Sequence, residues 1–237
     1  MPSYSIASKF NLRARTMNSG AQMANWQKAG IGIPFYRAIA ANYDRLHARF
    51  LRMAGSGGQS AFEGAVLALI NPGMDVLDAA CGTGAFASRL TAQTGAGIRL
   101  TLLDGCPEML RQAPENVSAR ILGHLENLPF AACSFDIVCC SWGIETTEQP
   151  ARTIRELMRV VRPGGHLCFV ACADVRSPGF GGRIIKRAML LRQTGRFLEP
   201  IILEEFAREP ENEFARSIPC RGPAVAMVVK KAACPQA

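Results

Sequence analysis

Residues 74–90, MDVLDAACGTGAFASRL, constrain this chain more than any other stretch, because they join a short apolar run to a helix-type repeat through small residues led by an acid. Val76 and Leu77 carry the apolar run to Asp78. Ala79, Ala80, Cys81, Gly82, Thr83 and Gly84 follow, none large enough to hold a ligand off the backbone, and glycine permits the positive φ of a tight turn. Helical spacing then begins, with Phe86 and Leu90 four apart on one face. Free amides at that helix start face the loop and favour an electron-rich group there. Strand, small-residue loop and helix in this order suit a nucleotide-like ligand.

Asp104 closes the next apolar run, Ile98–Leu103, 20 residues beyond Gly84, where a βαβ unit places a ribose-binding carboxylate. At the tips of adjacent parallel strands the two acids can address two ends of one ligand, Asp104 the ribose hydroxyls and Asp78 a cationic or amino group. A carboxylate at Asp78 would repel a pyrophosphate, which tells against a dinucleotide; for that ligand Ala80, Gly82 and Ala85 form only a degenerate G-x-G-x-x-G. As a ribose acceptor alone, Asp104 is expected to be removable without loss of the fold.

The rest of the chain alternates. Helical periodicity covers 35–54 and 59–70 and stops at Asn71-Pro72-Gly73. Strand patterns at 75–78, 98–103, 119–123, 135–141 and 166–172 are separated by helical ones at 84–93, 106–113 and 150–161, with a turn expected at Arg162-Pro163-Gly164-Gly165. Strands alternating with helices imply a parallel sheet wound on both faces. Beyond 173 come an expected flexible loop at Ser177–Gly182, a basic amphipathic helix at Arg183–Arg192, and a strand pair at Phe214–Cys220 and Ala224–Lys230.

No apolar run approaches the roughly 18 residues of a membrane span. The nine cysteines have no C-x-x-C spacing, and Cys139, Cys140, Cys168 and Cys172 sit in apolar strand runs, so reduced core residues in a cytosol-like compartment are expected rather than a disulfide or zinc framework. His47, His124 and His166 are scattered without metal-ligand spacing, and no metal site is expected. The net charge of +8 is uneven, since no Asp or Glu precedes Asp44 while Lys9, Arg13, Arg15, Lys28 and Arg37 do. Residues 1–30 read as a basic flexible segment, an organelle transit peptide or a lipid-surface contact.

Five segments in order carry a resemblance: the Tyr43-Asp44 pair, VLDAACGTG, LLDGCPEML, GHLENLPFAACSFDIVCCSWGIE and RELMRVVRPGGHL. Together they resemble the class I S-adenosylmethionine-dependent methyltransferases, in the small-molecule branch that includes the ubiquinone and menaquinone C-methyltransferases. The resemblance implies a Rossmann-like, seven-stranded, mostly parallel sheet with an antiparallel C-terminal strand pair and helices on both faces. It places one methyltransferase domain at 31–237, with N-terminal lid helices at 35–70 and an insert at 174–213.

S-adenosyl-L-methionine is the implied cofactor, held by Asp78, Ala80, Cys81, Gly82, Gly84, Asp104, Gly105, Met109, His124, Leu125 and Ser141. Met109 would pack beside the adenine or serve as plain core. His124 and Leu125 replace the start of the family's usual D-A-E segment, and His124 either accepts from the adenine amine or is a solvated loop residue. After the fourth strand, where many relatives carry a histidine pair, this chain has Glu145 and Thr146. Glu145 is either a base or an exposed acid at a helix start, Tyr43 is the other catalytic candidate, and Trp142 is a substrate wall or core.

The activity implied is in-line methyl transfer to a small, lipid- or quinone-like acceptor, with peripheral membrane contact as a partner call. Two other readings are a non-catalytic or non-methylating S-adenosylmethionine-binding protein and, below it, an RNA methyltransferase. Nucleic acid ranks low because no D-P-P-Y or N-P-P-Y segment follows the fourth strand.

Overall fold

A computed structural model describes residues 32–174, 179–192, 194–218, 220 and 223–233. The basic segment at 1–30 lies outside the described residues, as do 175–178 of the expected flexible loop. Seven strands form one sheet: β1 Asp75–Ala79, β2 Arg99–Asp104, β3 Ala119–Leu122, β4 Phe135–Ser141, β5 Val161–Cys172, β6 Asn212–Ile218 and β7 Ala224–Lys231. Their order is β3-β2-β1-β4-β5-β7-β6. The neighbours from β3 through β5 pair in parallel, whereas β7 runs antiparallel to both β5 and β6. β7 alone therefore reverses direction.

Alternating side chains divide the core by face, as the two-residue strand period requires. Leu77, Ala79, Val138, Cys140, Leu167 and Phe169 pack toward Ile154, Leu157 and Met158 of helix α6 (Pro150–Val160) and toward Leu203 and Phe206 of α8 (Pro200–Ala207). Val76, Leu100, Leu102, Ile137, Cys139 and Cys168 face the other way, onto Phe62 and Val66 of α3 (Ser56–Leu69) and Phe86 and Leu90 of α4 (Ala85–Thr94). Both faces are covered by helices. Chain order reverses between β1 and β4, and in open sheets of this kind ligands bind at the carboxyl ends of the strands flanking that point.

The path ahead of the sheet is more broken than periodicity predicts. α1 (Ile33–Ile39) passes through a 3-10 turn, Ala40–Asn42, into α2 (Tyr43–Phe50), and a π-turn, Leu51–Gly55, carries the chain into α3 without the gap expected near 55–58. A Cβ on Gly58 would sit 2.6 Å from the Ala224 Cβ, so the missing side chain lets α3 lie directly on the sheet.

Three other expectations are corrected. The helix expected at 106–113 is only the single turn α5, Pro107–Leu110, because Pro114 disfavours helical backbone at the residue before it. Arg162-Pro163-Gly164-Gly165 is a bulge inside β5 rather than a turn before it: Val161 already pairs with Phe135, and pairing resumes at His166 opposite Ile137. Gly179–Gly182 opens helix α7, Gly179–Arg192, instead of belonging to a loop. The C-terminal pair forms as expected, though its first strand ends at Ile218, short of Cys220.

Candidate active site

Two adjoining cavities open at the carboxyl ends of β1, β2 and β4, one with about 750 Å³ of empty space and the other about 770 Å³. Tyr43, Ala80, Ser141 and Trp142 line both and form a waist between them. The first lobe takes Gly82, Asp104, Gly105, Met109, His124 and Leu125. The second takes Asp78 and Cys81, together with His47, Gln59 and Arg89. The acids assigned to two ends of one ligand thus stand in two lobes of one site.

Asp78 is 1% exposed, and neither carboxylate oxygen has a hydrogen-bond partner. Burial, with a smaller push from Asp104, raises its pKa from 3.8 to about 7, against a weak opposing pull from Arg89. A buried carboxylate without a partner is costly. An ammonium group of a ligand would supply the partner that the protein withholds.

Asp104 is differently placed. Its Oδ2 accepts from the Gly82 N–H and its Oδ1 from the Cys106 N–H, both at 2.8 Å, so it holds the glycine loop against the start of α5. Burial still raises its pKa, and those amides pull the other way. Each oxygen keeps a second lone pair for a ligand hydroxyl. Asp104 is an organiser of the loop as well as a candidate ribose acceptor, a structural role that the sequence reading did not give it.

Gly84 and Glu145 line neither lobe. Gly84 caps α4 at φ 77°, and a Cβ there would collide with the Pro114 ring, so it seats the loop on the Ala113-Pro114 turn. Glu145 is buried, not the exposed acid of one sequence reading: its Oε1 accepts from the Cys172 N–H at 3.1 Å and its Oε2 has no partner. Burial raises its pKa to about 7, against the pull of its own and the Cys172 amide. Its carbonyl also accepts from the Arg196 N–H, tying the tip of β4 to the insert.

Tyr43 stacks on His47 with ring centroids 5.4 Å apart. Burial, then Asp104 and Asp44, push its hydroxyl well above the ordinary range, so it stays protonated and serves as wall or donor rather than base. The next residue, Asp44, accepts from the Thr83 hydroxyl at 2.6 Å, so the Tyr43-Asp44 pair clamps α2 onto the glycine loop. Burial and Arg89 lower the His47 pKa to about 4, keeping the imidazole neutral. Burial and Asp78 hold the Cys81 thiol protonated, which makes it a poor nucleophile.

Gln59 was not visible as a site residue from sequence. Its Oε1 accepts from the Trp142 indole N–H at 2.5 Å and the Ser141 hydroxyl at 3.1 Å, while its amide donates to Glu63 at 2.6 Å. Glu63 in turn holds Arg89. No local pattern sets Gln59 apart from the other polar residues of α3, Ser56, Ser60 and Glu63, and Trp142 turns out to be both core and cavity wall.

Ala80 and Trp142, at the tips of β1 and β4, have φ of 64° and 58°. A residue with a Cβ pays roughly 1–2 kcal/mol in that left-handed region, and strain of this kind collects at ligand sites. Ala80→Gly is expected to raise stability by about 0.5–1 kcal/mol, the relief being partly offset by glycine's entropy. A denaturant titration showing a lower midpoint for the variant would mean that the loop absorbs the strain.

Among the described residues no group of three or more His, Cys, Asp or Glu could hold a metal ion, and no helix is long and apolar enough to cross a membrane. Cys81, Cys106, Cys133, Cys139, Cys140, Cys168 and Cys172 are free thiols.

Residues 77–169 match the methyltransferase domain family. A malonyl-[acyl-carrier protein] O-methyltransferase of Pectobacterium atrosepticum is 38% identical over 154 residues, 63% of this chain and 56% of the relative. A ubiquinone/menaquinone biosynthesis C-methyltransferase of Rhizobium etli is 30% identical over 164 residues, 64% of this chain and 62% of the relative. The chain thus spans about half to three-fifths of the length of these curated relatives. In structure, an S-adenosylmethionine-dependent methyltransferase of Thermotoga maritima superposes with a TM-score of 0.62 at 20% identity, covering 83% of this chain and 98% of that one.

Proposed function

We propose that this chain, whose residues 77–169 match the methyltransferase domain family, transfers a methyl group from S-adenosylmethionine to a small neutral aromatic or lipid-like acceptor. The observation that carries the reading is the unpartnered buried carboxylate of Asp78 in one lobe, set across the Tyr43 waist from Asp104 in the other. That donor set fits the cofactor. Asp78 would accept its ammonium, the free lone pairs of Asp104 its ribose hydroxyls, and Met109, Gly105 and Leu125 would flank its adenine beside His124.

When bound, the cofactor supplies a methyl group already activated by a sulfonium. The protein's task is positioning and the exclusion of water. Tyr43 and Trp142 wall the waist, and Tyr36 lines the first lobe beside them. Tyr36 stays protonated, because burial and then Tyr43 and Glu145 raise its pKa. Trp142 is locked by Gln59 and by the Phe50 ring, 4.9 Å away edge-on. This aromatic wall is a hydrophobic surface for a planar acceptor.

The relatives' names give two acceptor types, a malonyl group on a carrier protein and ubiquinone or menaquinone precursors. No Lys or Arg lines the first lobe among the described residues, while Asp104 and Glu126 do. The waist, where the aromatic wall would hold an acceptor, is formed by Tyr43, Ala80, Ser141 and Trp142 and likewise offers no cation to neutralise a carboxylate acceptor, so the quinone-like class is favoured.

Binding of S-adenosylhomocysteine tests the cofactor reading. At about 100 times its dissociation constant it should stabilise the protein by about 2.7 kcal/mol. Absence of both heat and melting shift at millimolar ligand would reject the site. Formation of S-adenosylhomocysteine from S-adenosylmethionine with a demethylquinone, and not with malonyl thioesters, is the expected acceptor result. Binding without turnover on any acceptor would make the chain a binding module.

A further inference from the structure

We infer that the outer face of the lid, formed by α7 and the adjoining end of α2, is a docking surface for an anionic lipid bilayer. Helix α7 is apolar on two opposite sides. Ile185 and Met189 pack inward on the core cluster that includes Phe50 and Leu51, and Gly182 is buried beside them. Phe180, Ile184 and Leu191 fall on the opposite line at helical spacing, and all three are exposed, Phe180 by 75% and Leu191 by 72%. A helix that needed only to cover the site would be polar on that line.

The same character continues onto the neighbouring segment. α7 packs against the π-turn Leu51–Gly55 that follows α2, and Leu46 and Met53 stand exposed there. Among the described residues eight large hydrophobics are exposed, and six of them lie on α7 or on residues 46–53. Exposed large side chains are ordinary when scattered. Concentrated on one pair of adjoining elements, they mark an interaction surface.

Charge identifies the partner. Arg45, Arg49 and Arg52 on the first segment and Arg183 and Arg187 on α7 have no carboxylate partner among the described residues. Elsewhere among the described residues nine arginines are each held in an ion pair and three, Arg152, Arg196 and Arg216, are not, so the unpaired cations are concentrated on this face rather than confined to it. Apolar side chains flanked by unpaired cations are the pattern of an interfacial helix, with the apolar line entering the acyl boundary and the arginines meeting anionic headgroups. α2 lines the candidate site through Tyr43, Asp44, His47 and Ala48, and α7 packs on the turn that follows it, so a protein seated in this way would present that edge of the site to a lipid-dissolved acceptor. The surface rests on exposure and charge and stands independently of the methyl-transfer reading.

The test is co-sedimentation of the full chain with vesicles of phosphatidylcholine alone or with phosphatidylglycerol added, at low and high salt. Binding should require the anionic lipid and weaken as salt rises. Two variants separate the components: Phe180→Ser/Ile184→Ser/Leu191→Ser and Arg183→Glu/Arg187→Glu. Each should cut the partition coefficient at least tenfold while leaving the melting temperature and S-adenosylhomocysteine affinity near wild type. The inference is overturned if the wild-type chain does not bind anionic vesicles, or if both variants bind as well as wild type. It is equally overturned if neutralising Lys9, Arg13 and Arg15 alone abolishes binding, which would assign the contact to the N-terminal segment. Concentration-dependent dimers abolished by the serine substitutions, without vesicle binding, would assign the face to a second copy of the chain.

Discussion

Asp104→Ala will weaken the fold and the cofactor site together. Its carboxylate is the acceptor for the Gly82 and Cys106 amides, and both lose that partner when the side chain is cut back. A buried donor left without a partner costs about 1–3 kcal/mol; with water able to enter from the cavity, about 1–3 kcal/mol for the pair is expected. Loss of a charged acceptor for ribose hydroxyls adds about 1.5–3 kcal/mol in affinity. Chemical denaturation and calorimetry measure the two effects separately. Asp104→Asn, which keeps one acceptor oxygen, should recover part of the stability. An alanine variant as stable as wild type would show that the loop holds itself.

Asp78→Asn is expected to divide stability from binding. Burial raises the folded pKa of Asp78 from 3.8 to about 7. Between those values the folded state keeps a proton that the unfolded state has lost, so stability falls as pH rises from about 4 to about 7. Above 7 the ionised, unpartnered carboxylate weighs on the fold in full. Asparagine cannot ionise, although its own amide also lacks partners. The variant should match wild type near pH 4 and exceed it by about 1–3 kcal/mol at pH 8.

Cofactor affinity should move the other way. It should drop about ten- to hundredfold in the variant, and in wild type it should rise with pH up to about 7, because an ammonium ligand binds the ionised form and displaces the proton. Calorimetry in buffers of different ionisation enthalpy reads that proton directly. A pH-independent wild-type affinity between 5.5 and 8 would remove Asp78 from the ammonium role.

Much of the site was legible because its signals are local. The strand tip at Asp78, the small-residue loop through Gly84, and Asp104 one βαβ unit later sit at spacings set by strand and helix geometry, and the structure brings Asp78 and Asp104 to one two-lobed cavity. The alternation of strands and helices likewise fixed sheet type and the two helical faces. Local signals misled where packing competes with them. Gly84 is legible as part of a ligand loop, but its packing against Pro114 is not. The Pro-Gly-Gly run looked like a turn, yet β4 pairs with β5 on both sides of it.

By itself, then, the sequence determined the order of elements, the resemblance carried by its five segments and the positions of the two acids, because each depends on residues close together in the chain. Only the tertiary structure decided that Gln59 locks Trp142 and Ser141 across more than 80 residues. It also decided that Tyr43-Asp44 clamps the glycine loop, that Glu145 lies behind the cavity wall, and that α7 turns a second apolar line outward. Those facts follow from how the lid elements pack on the sheet, and such packing is a sum of many weak long-range contacts with no period in the sequence to announce it.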